Sequence, residues 1–552
     1  MTISSDFSPP PPERSLRTLL DSLAEPTSNP DELREATGSA LAALLRSCHD
    51  HGWDVGGLIA EAFRASEAPL PDLTLAPTLP RKVAVFTGSF DPPTLFHRAI
   101  AEQLRVDGFD QVVIRPEGPR ENHPEENHAA PIHRAAMTDL GFRGLPWVTV
   151  DLTDIDDQKY TPHRDIEGAL AAKLAPTGGS IEVWHVVSDD FVLHGRDGDS
   201  TIQSQWESGP ELWDRSRFVV FHATGARPDP ADLPPNCQLL TADGYMPSGH
   251  IRTMLLNGGP DIPDELVTPQ VAEYIRRHWL FTGELPPREV RIILDRLRLK
   301  IVLGPQPEAL RKAERFRHLV DEAHPNLILV IGGDGTMLRA IRHHWRLRVP
   351  FLGLNSGHLG HLVNDELPDD LGRTELVLYR MPMLRVDTLG EDGVETLGRL
   401  AFNDAWAERD GGQGAWFRLD VNGEQRVSKV VADGLLAATP SGSAAYARAM
   451  GATPVPLNSP VITLAGSNVF SPRFWKPLAL PDHTVIRMTS IGEPGKRPVR
   501  GFLDGEPLGR IRSMEVRVSQ VASVELAFTP KYDLSAKLLR SLFPPDDEKK
   551  KD

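Results

Sequence analysis

The sequence predicts an α/β protein in which two sheet-containing halves follow one another and the second half ends in a β-rich lobe. Short apolar runs alternate with helical stretches in both halves, which is typical of parallel sheets wound with helices. One run in each half leads into a glycine-containing turn: Val83-Ala84-Val85-Phe86 in the first and Leu327-Ile328-Leu329-Val330-Ile331 in the second. After about residue 381, short strands separated by many turns predict the β-rich lobe.

The chain of 552 residues is too long for one hydrophobic core, and its composition shifts predict four parts. In chain order they are a proline-rich tail with a small helical region (1–80), a first α/β domain (81–285), a second domain (286–540, with an α/β lobe at about 286–380, a β-rich lobe at about 381–510 and a C-terminal return) and a charged tail (541–552). Within the second domain, the pattern predicts a helix over residues 308–322 and a strand over residues 401–408.

The totals exclude several classes of protein. The formal net charge of −16 argues against nucleic acid as a bulk partner. No apolar stretch approaches the roughly 18 residues of a membrane span, and the N-terminus lacks the segments of a secretory signal. The two cysteines, Cys48 and Cys237, make neither a disulfide framework nor a metal knuckle. We therefore expect a cytoplasmic protein with no membrane and no nucleic-acid partner.

The turn Gly332-Gly333-Asp334-Gly335-Thr336 is the strongest chemical signal. Glycines let backbone N–H groups approach phosphate oxygens, and the following helix adds its positive N-terminal end. The Asp334 carboxylate would repel phosphates unless Mg²⁺ neutralises it or it takes a proton from an attacking hydroxyl. The turn therefore predicts a kinase for a small hydroxyl substrate. The alternative is a tight strand–helix turn in which Asp334 only caps the helix.

Two further segments support a nucleotide site. Asp433-Gly434-Leu435-Leu436-Ala437-Ala438-Thr439-Pro440-Ser441-Gly442-Ser443 reads as a strand that runs into a second small-residue turn, with Tyr446 soon after it. Such a turn can hold an anion or a ribose. Asn403-Asp404 ends an apolar strand and supplies an amide and a carboxylate that suit a ribose or an adenine.

These three blocks, in this order, closely resemble the NAD kinase family from about residue 290 to about residue 530. The stretch Gly353-Leu354-Asn355-Ser356-Gly357-His358-Leu359-Gly360 and the tripeptide Leu503-Asp504-Gly505 agree with the resemblance. The glycine-Asp turn by itself is shared with lipid kinases and phosphofructokinases. A lipid or sugar kinase is therefore the alternative.

The resemblance implies that Asp334 is the catalytic base that takes the proton from the 2′-hydroxyl of NAD's adenosine ribose. ATP, with Mg²⁺ or another divalent cation, would be the phosphate donor, and Gly332 and Gly333 would contact its phosphates. The resemblance implies these NAD-binding residues: Gly335, Arg339, Asn403, Asp404, Asp433, Thr439, Ala444 and Tyr446. This chain departs from the family at several positions: Asp404 replaces the commoner glutamate, Ala444 a threonine and His361 a phenylalanine, and Val431 stands where some members carry a basic residue.

The first half carries a second signal, Gly88-Ser89-Phe90-Asp91-Pro92-Pro93-Thr94-Leu95-Phe96-His97, between a strand and a helix. The Thr94 hydroxyl and the His97 imidazole would lie at a helix N-terminus, where they can donate to phosphate oxygens. Far downstream, Ser248 and Arg252 mark another helix start, and a guanidinium suits a polyphosphate leaving group. Taken singly, His97 also fits a packed histidine and Arg252 a solvated charge.

Together these residues resemble the nucleotidyltransferases with a Thr/His-x-Gly-His signature, and best the nicotinamide or nicotinate mononucleotide adenylyltransferases, over about residues 82–282. The implied ATP- or phosphate-binding residues are Gly88, Ser89, Phe90, Thr94, His97, Ser248 and Arg252, with His97 also catalytic. The implied mononucleotide-binding residues are Asp190 and Trp206. Phe96 occupies the family's glycine, and Pro247 and Gly249 replace two hydroxyl residues.

We therefore expect a Rossmann-like nucleotidyltransferase domain fused to an NAD kinase fold. In this hypothesis the first half joins nicotinamide or nicotinate mononucleotide to an adenylyl group from ATP, and the second phosphorylates the resulting NAD. A homo-oligomer is expected. One alternative is an NAD kinase with a degenerate first domain that serves structure or ligand sensing. Another is a sensor that binds nucleotides without turnover.

Overall fold

The computed structural model describes residues 81–119, 128–174, 180–244, 247–258, 262–284, 289–294, 296–357, 360–368, 370–532, 537 and 539. The predicted region 1–80 and the predicted tail 541–552 lie outside the described residues, as do His358 and Leu359. The described residues belong to one compact unit.

The first half contains a six-stranded sheet in which every neighbouring pair is parallel. Its elements are β1 (Arg81–Gly88), α1 (Leu95–Val106), β2 (Gln111–Pro116), α2 (Pro131–Gly141), β3 (Val148–Val150), α3 (Thr153–Asp157), α4 (His163–Leu174), β4 (Ile181–Ser188), α5 (Thr201–Gln205), α6 (Gly209–Arg215), β5 (Arg217–His222), β6 (Cys237–Thr241), α7 (Ser248–Gly258) and α8 (Pro269–Arg277). The strand order is β3-β2-β1-β4-β5-β6. The order reverses between β1 and β4, and ligands of such sheets bind where the order reverses.

Both faces of this sheet are covered, which explains the continuous apolar runs of its strands. On one face Phe86 of β1 packs in the cluster that contains Ile100 of α1. On the other, Val85 packs in the cluster that contains Ile166 of α4. The predicted parallel sheet wound with helices is confirmed.

The second half begins with β7, which pairs antiparallel with β11, and contains three parallel strands and a strand shared with the β-rich part. The elements are β7 (Val290–Ile292), β8 (Leu299–Leu303), α9 (Pro307–Ala313), β9 (Leu327–Gly332), α10 (Asp334–His344), β10 (Phe351–Asn355) and β11 (Leu376–Gly390). The order is β8-β9-β10, followed by the last residues of a long strand, β21 (Glu506–Phe528), which pairs in parallel with β10 and antiparallel with β11.

The β-rich lobe is built from the remaining strands and two short helices. They are β12 (Glu395–Ala401), β13 (Asp404–Arg409), β14 (Ala415–Val421), β15 (Glu424–Ala432), β16 (Gly434–Ala438), α11 (Pro440–Ser443), α12 (Tyr446–Ala449), β17 (Val461–Ser467), β18 (Leu478–Pro481), β19 (Ile486–Ser490) and β20 (Val499–Leu503). The path β15-β14-β19-β21-β20-β13-β16-β17-β18 joins these strands except β12, which pairs with β11. The predicted α/β lobe followed by a β-rich lobe is confirmed.

Helix α10 positions the central carboxylate of the second half. Met337, Ala340 and Ile341 recur at helical spacing and pack in the core cluster that contains strand β9. Asp334 is the first residue of the helix, where a negative charge stabilises the helix dipole. The apolar face of α10 thus fixes the helix so that its N-terminus lies at the carboxyl end of β9.

Two predicted elements are shorter in the structure. The predicted helix 308–322 ends at Ala313 and continues as the 3₁₀ segment Glu314–Leu319. The predicted strand 401–408 is wrong, because β12 ends at Ala401 and β13 begins at Asp404. The backbone N–H groups of Phe402, Asn403 and Asp404 instead donate to the carboxylate of Asp504, at 2.7 to 3.1 Å.

The two halves are joined by buried ion pairs, which we call the domain interface. Asp139 of α2 pairs with Arg346 and Arg348, which follow α10. Glu525 of β21 is paired with His278, which follows α8, at 3.0 Å. Burial raises the pKa of Glu525, but the charges of Arg277 and His278 outweigh it and hold that pKa at about 2. Charges desolvated in this way stabilise a contact only when their partners stay in place.

A second group of the domain interface surrounds Asp156 of α3. Its carboxylate accepts from Arg385 at 3.0 Å, from the Ser519 hydroxyl at 2.9 Å and from the backbone N–H of Gln520 at 2.8 Å. The acceptor belongs to the first half and all three donors belong to the second.

Among the residues described here, no helix is long and apolar enough to span a membrane.

Candidate functional site

A cleft in the second half contains the predicted base. It has about 830 Å³ of empty space, part of it open to solvent, and its wall includes Asp334, His361, Asn403, Ser441 and Ala444. These side chains come from the turn after β9, the loop after β10, the corner between β12 and β13, and the turn after β16. We call it the kinase-half cleft. The structure therefore brings together three of the blocks that the sequence singled out.

Both oxygens of the Asp334 carboxylate are held by backbone groups. Oδ2 accepts from the N–H of His361 and Oδ1 from the N–H of Leu362, each at 2.9 Å. These two bonds fix the orientation of the carboxylate. The His361 imidazole also lines the cleft, and burial lowers its pKa, although the Asp334 charge opposes that effect. A fixed carboxylate at a helix N-terminus can accept a proton from a hydroxyl in the cleft.

The glycines of this turn leave room beside the backbone. A Cβ added at Gly333 or Gly335 would meet no heavy atom within 4 Å, whereas one at Gly332 would lie 2.5 Å from the Thr336 hydroxyl. Gly333 has φ −100° and ψ −173°, which any residue can adopt. Position 332 requires glycine because a side chain there would collide with Thr336. The open space beside Gly333 and Gly335 instead suits a ligand that approaches the backbone.

The Asn403 corner is fixed from two sides. The Ser441 hydroxyl donates to Asn403 Oδ1 at 2.7 Å. The Asp504 carboxylate accepts from the backbone below the side chain, as described above. Asp504 is a residue that motif reasoning did not single out for a role, although its tripeptide was noted. The side-chain amide of Asn403 is left as a donor toward the cleft wall.

The turn after β16 holds itself against this corner. Thr439 is 1% exposed, and its hydroxyl donates to the Phe402 carbonyl at 2.7 Å and accepts from the N–H of Gly442 at 3.2 Å. A Cβ at Gly442 would lie 2.1 Å from the Asn403 carbonyl oxygen. Thr439 therefore supports the turn from beneath, while Ser441 and Ala444 face the cleft.

Asp404 lies behind the cleft wall instead of on it. The residue is 6% exposed. Burial, and secondarily the nearby Asp504 charge, raise the pKa of Asp404 to about 7. Burial raises the pKa of Asp504 as well, against the three N–H bonds that favour its charge. The two carboxyl groups therefore share a desolvated region in which a second negative charge is unfavourable.

This pair predicts a stability that depends on pH. Folding raises the pKa of Asp404 from 3.8 to about 7, so the folded state binds the proton more tightly. The free energy of unfolding therefore falls as pH rises from about 4 to about 7. We expect Asp404→Asn to remove this fall and to stabilise the protein at pH 8 by at most about 4 kcal/mol. Denaturant unfolding at pH 5 and pH 8 measures it, and a difference that does not change with pH would contradict the assignment.

Of the predicted NAD-binding residues, Asn403 and Ala444 line the kinase-half cleft, and Arg339, Asp433 and Tyr446 are among those that do not. Arg339 is exposed on α10. Asp433 precedes β16, at the opposite end from the turn, and its carboxylate accepts from Arg409 at 2.6 Å and from Asn468 at 2.7 Å. Tyr446 is 56% exposed, with its ring 5.1 Å from that of Trp406. Asp433 and Tyr446 are close in the sequence motif but lie on different surfaces, because strand β16 and helix α11 separate them.

Two polar residues of the cleft were missed by sequence reasoning. Tyr532 and Lys537 follow β21 and line the kinase-half cleft beside Asp334. The only sequence signal was their place soon after an apolar strand, which marks no chemistry. Contacts across more than 170 positions create their role, and local patterns carry no information on such contacts.

In the first half, Thr94 and His97 form the N-terminus of α1. Thr94 caps the helix, and its backbone N–H donates to Nδ1 of His97 at 3.0 Å. Because Nδ1 accepts, the neutral imidazole carries its proton on Nε2. Burial lowers the pKa of His97 to about 4, so the ring is neutral near pH 7. His97 can therefore donate one hydrogen bond from Nε2.

Helix α7 approaches the same loop. The Ser248 hydroxyl donates to the Pro92 carbonyl at 2.8 Å, and Arg252 donates to the Asp91 carbonyl at 2.7 Å. The Asp91 carboxylate is fully buried, and burial raises its pKa. The structure thus brings Ser248 and Arg252 to the loop between Gly88 and Thr94. In this arrangement their polar groups hold the loop itself.

Aromatic side chains fill much of the space around this loop. The Phe90 ring lies 5.2 Å from that of His97, and Phe96 packs against Phe221 at 5.7 Å. The predicted ring-stacking residue Trp206 is 8% exposed, and His163 is stacked on it at 3.5 Å and 1°. Asp190 is exposed and accepts from the Ser188 hydroxyl. One face of Trp206 is therefore already occupied by a side chain of this domain.

The residues fit a divalent cation that arrives with a nucleotide better than a resident ion. Among the described residues, no group of three or more His, Cys, Asp or Glu side chains is arranged to hold a metal. Magnesium commonly binds one or two carboxylates together with substrate phosphates. Asp334 is the carboxylate on the wall of the kinase-half cleft that could take part.

Comparison with known proteins finds similarities for both halves. The family model described as ATP-NAD kinase N-terminal domain matches residues 304–372, and the one described as Cytidylyltransferase-like matches residues 85–253. The NAD kinase of Brucella suis biovar 1 is 31% identical over 234 residues, 42% of this chain and 89% of that protein. The NAD kinase of Rickettsia bellii is 32% identical over 239 residues, 43% of this chain and 92% of that protein.

Among solved structures, yeast NADH kinase complexed with NADH aligns at 17% identity over 47% of this chain and 88% of that chain, with a TM-score of 0.39. The curated relatives decide the family, because they exceed 30% identity over nearly their whole length. The protein is therefore a kinase that belongs to the NAD kinase family, with a cytidylyltransferase-like domain before its kinase region.

Proposed function

We propose that the protein is an ATP-dependent NAD kinase that phosphorylates the 2′-hydroxyl of the adenosine ribose to give NADP. The observation that carries this proposal is the Asp334 carboxylate, which is held by two backbone N–H groups on the wall of a cleft that Asn403 and Ser441 also line. The curated relatives named NAD kinase supply the substrate class.

The chemistry follows from these groups. The ribose oxygen attacks the γ-phosphorus of ATP, its proton passes to Asp334, and the bond from the γ-phosphorus to the bridging oxygen breaks to release ADP. Backbone N–H groups at the start of α10 stabilise charge on the phosphate oxygens. A divalent cation that arrives with ATP would neutralise part of the phosphate charge. Asn403 and Ser441 are suited to orient the ribose hydroxyls.

A substrate panel tests this assignment. The purified protein is incubated with ATP, Mg²⁺ and one acceptor at a time: NAD, NADH, a diacylglycerol or a hexose phosphate. The products are identified by mass spectrometry. We expect phosphorylation of the dinucleotides alone. Phosphorylation of the lipid or the sugar in place of NAD would favour the alternative kinase classes.

Substitution of Gly335 is expected to affect ligand binding without affecting the stability of the fold. Gly335→Ala adds a methyl group into space that is empty within 4 Å, whereas Gly442→Ala places one 2.1 Å from the Asn403 carbonyl oxygen. We expect Gly335→Ala to raise the KM for NAD with unchanged stability. Gly442→Ala should lower the free energy of unfolding by about 2 kcal/mol or more. Steady-state kinetics and denaturant unfolding measure the two effects, and a stability loss at Gly335 would contradict this reading.

We propose further that the first half is a nicotinamide or nicotinate mononucleotide adenylyltransferase. The observation in support is the convergence of Thr94, His97, Ser248 and Arg252 at the β1–α1 loop, with the His97 proton on Nε2. In this reaction a phosphate oxygen of the mononucleotide attacks the α-phosphorus of ATP, and pyrophosphate leaves. A neutral imidazole donor and a guanidinium are suited to the charge of that leaving group.

One observation favours a second function for this half, ligand sensing without turnover. The His163 ring occupies one face of Trp206 at 3.5 Å, so a stacked pyridine ring must displace it or use the other face. Mononucleotide plus ATP tests the choice, with dinucleotide and pyrophosphate as products. Their absence, together with calorimetric binding of nucleotide, would assign the sensing function.

We also propose that the protein is a homo-oligomer. Phe470 and Phe474, which follow β17, are 82% and 90% exposed, and neighbouring large apolar side chains in water commonly mark an association surface. Light scattering after size exclusion measures the state. We expect Phe474→Ser to reduce the assembled mass, and a monomeric wild-type protein would contradict the proposal.

A further inference from the structure

The orientation of Asp334 depends on one loop. The N–H groups of His361 and Leu362 each donate to one of its carboxylate oxygens at 2.9 Å. A movement of this loop would therefore turn the carboxylate or leave the two N–H groups without their acceptor. The loop follows β10 and is not adjacent in sequence to β9 or α10. Contacts with other parts of the chain must therefore hold it in place.

The carbonyl groups of the same loop are bound by side chains that follow β21. Lys537 Nζ donates to the Gly360 carbonyl at 2.9 Å and to the Val363 carbonyl. The Tyr532 hydroxyl donates to the His361 carbonyl. The loop thus donates to Asp334 through its N–H groups and accepts from Lys537 and Tyr532 through its carbonyl groups.

The Lys537 ammonium is buried, so the groups that surround it determine its position. The residue is 5% exposed, and its ammonium also lies 3.1 Å from Asp365 Oδ1 and 4.5 Å from the centre of the Tyr532 ring. A buried ammonium stays charged only where acceptors surround it, so its position is determined by these partners. Two of the acceptors are carbonyl groups of the loop that holds Asp334.

We propose that Lys537 and Tyr532 are positioning residues for the base of the kinase reaction, acting through the loop of residues 360–363. They hold the loop in the conformation in which both N–H groups reach the Asp334 carboxylate, so that the carboxylate faces the attacking hydroxyl. The inference rests on the proposed kinase function and on Asp334 as its base. It adds a dependence of the chemical step on the segment beyond β21.

Lys537→Met tests the proposal, with Lys531→Met as the matched control, because Lys531 is exposed in the same segment. We expect Lys537→Met to lower kcat by about tenfold with both KM values within about twofold, since the loss concerns the chemical step. Lys531→Met should leave kcat unchanged, and Lys537→Arg should restore part of it. Tyr532→Phe removes one hydrogen bond and should lower kcat by about threefold.

A double-mutant comparison identifies the route of the effect. In the Asp334→Asn background, Lys537→Met should cause no further loss of kcat, because the group that it positions is already disabled. Hydrogen exchange gives a readout that does not depend on turnover. The amides of His361 and Leu362 should exchange faster in Lys537→Met than in the wild type, while amides of the β14–β15 pair should not change.

The outcomes separate this inference from the proposed function. A raised KM with intact kcat would overturn it by placing Lys537 in contact with the ligand. Equal losses in both Asp334 backgrounds, or unchanged exchange at His361 and Leu362, would also overturn it. If the wild type forms no NADP, the kinase proposal fails by itself, and unchanged exchange at these two amides would then still overturn the loop contact.

Discussion

Asp334→Asn is expected to lower the rate of NADP formation by about a thousandfold, within the range that general-base groups contribute. The amide has the size of the carboxylate but cannot take the proton from the ribose hydroxyl. Its oxygen can still accept from one of the two N–H groups, His361 or Leu362, that now bind the carboxylate. The loss should therefore appear in kcat, measured by coupled assay of NADP, with little change in the KM for NAD.

The control for this variant is an exposed carboxylate of the same half. The Asp370 side chain is 65% exposed, and Asp370→Asn should leave the rate unchanged. Thermal unfolding of both variants shows whether the fold is retained. A rate near that of the wild type in Asp334→Asn would exclude this residue as the base.

The largest expected loss of stability comes from the domain interface. Asp156→Ala removes one of the three carboxylates that contact the Arg385 guanidinium, namely the most deeply buried one, and the Arg385 side chain is itself 7% exposed. The substitution also leaves the Ser519 hydroxyl and the Gln520 N–H without this acceptor. Removing one partner of a buried ion pair costs about 3–5 kcal/mol. The denaturant midpoint should therefore fall strongly, and the transitions of the two halves should separate.

Asp157 provides a neighbouring control. Its carboxylate also contacts Arg385 and lies 3.0 Å from Arg517, but the side chain is 35% exposed. Because solvent screens such a pair, Asp157→Ala should cost less than about 1 kcal/mol. Equal losses in the two variants would show that burial does not determine the strength of this contact.

The turn of the second half could be predicted because its signals are local. A wholly apolar run, a glycine pair and an acidic residue stand next to one another, so strand β9, the turn and the start of α10 follow from adjacent residues. The alternation of runs and helices similarly predicted both parallel sheets. Local sequence decides such features because neighbouring positions determine backbone conformation and the apolar face.

The Asn403 corner and the domain interface could not be predicted in this way. Residues 401–408 read as one strand because their apolar pattern is continuous, and the break depends on Asp504, which is about 100 positions away. Asp139 and Arg348 are 209 positions apart, and charged residues ordinarily face water. Only the packing of the two halves removes that water.

The first half shows a different limit. The motif residues Thr94, His97, Ser248 and Arg252 were singled out, and the structure brings them to one loop. The stack of His163 on Trp206 was not foreseen, because His163 belongs to no motif and lies about 40 positions from Trp206 in the sequence. Which ligand this domain accepts therefore depends on side chains that no pattern in the sequence marks.

The ionic character of the domain interface bears on what the peptide link between the halves accomplishes. If the backbone were severed between α8 and β7 and the two halves separated, Glu525, Arg385 and Asp139 would become hydrated. Each fragment would then expose both positive and negative side chains on the surface that now contacts the other half. Such fragments should remain dispersed and should recombine in dilute salt, with higher ionic strength opposing recombination. The covalent connection then guarantees a one-to-one ratio of the two halves at any cellular concentration, a ratio that separate polypeptides would reach only by mass action.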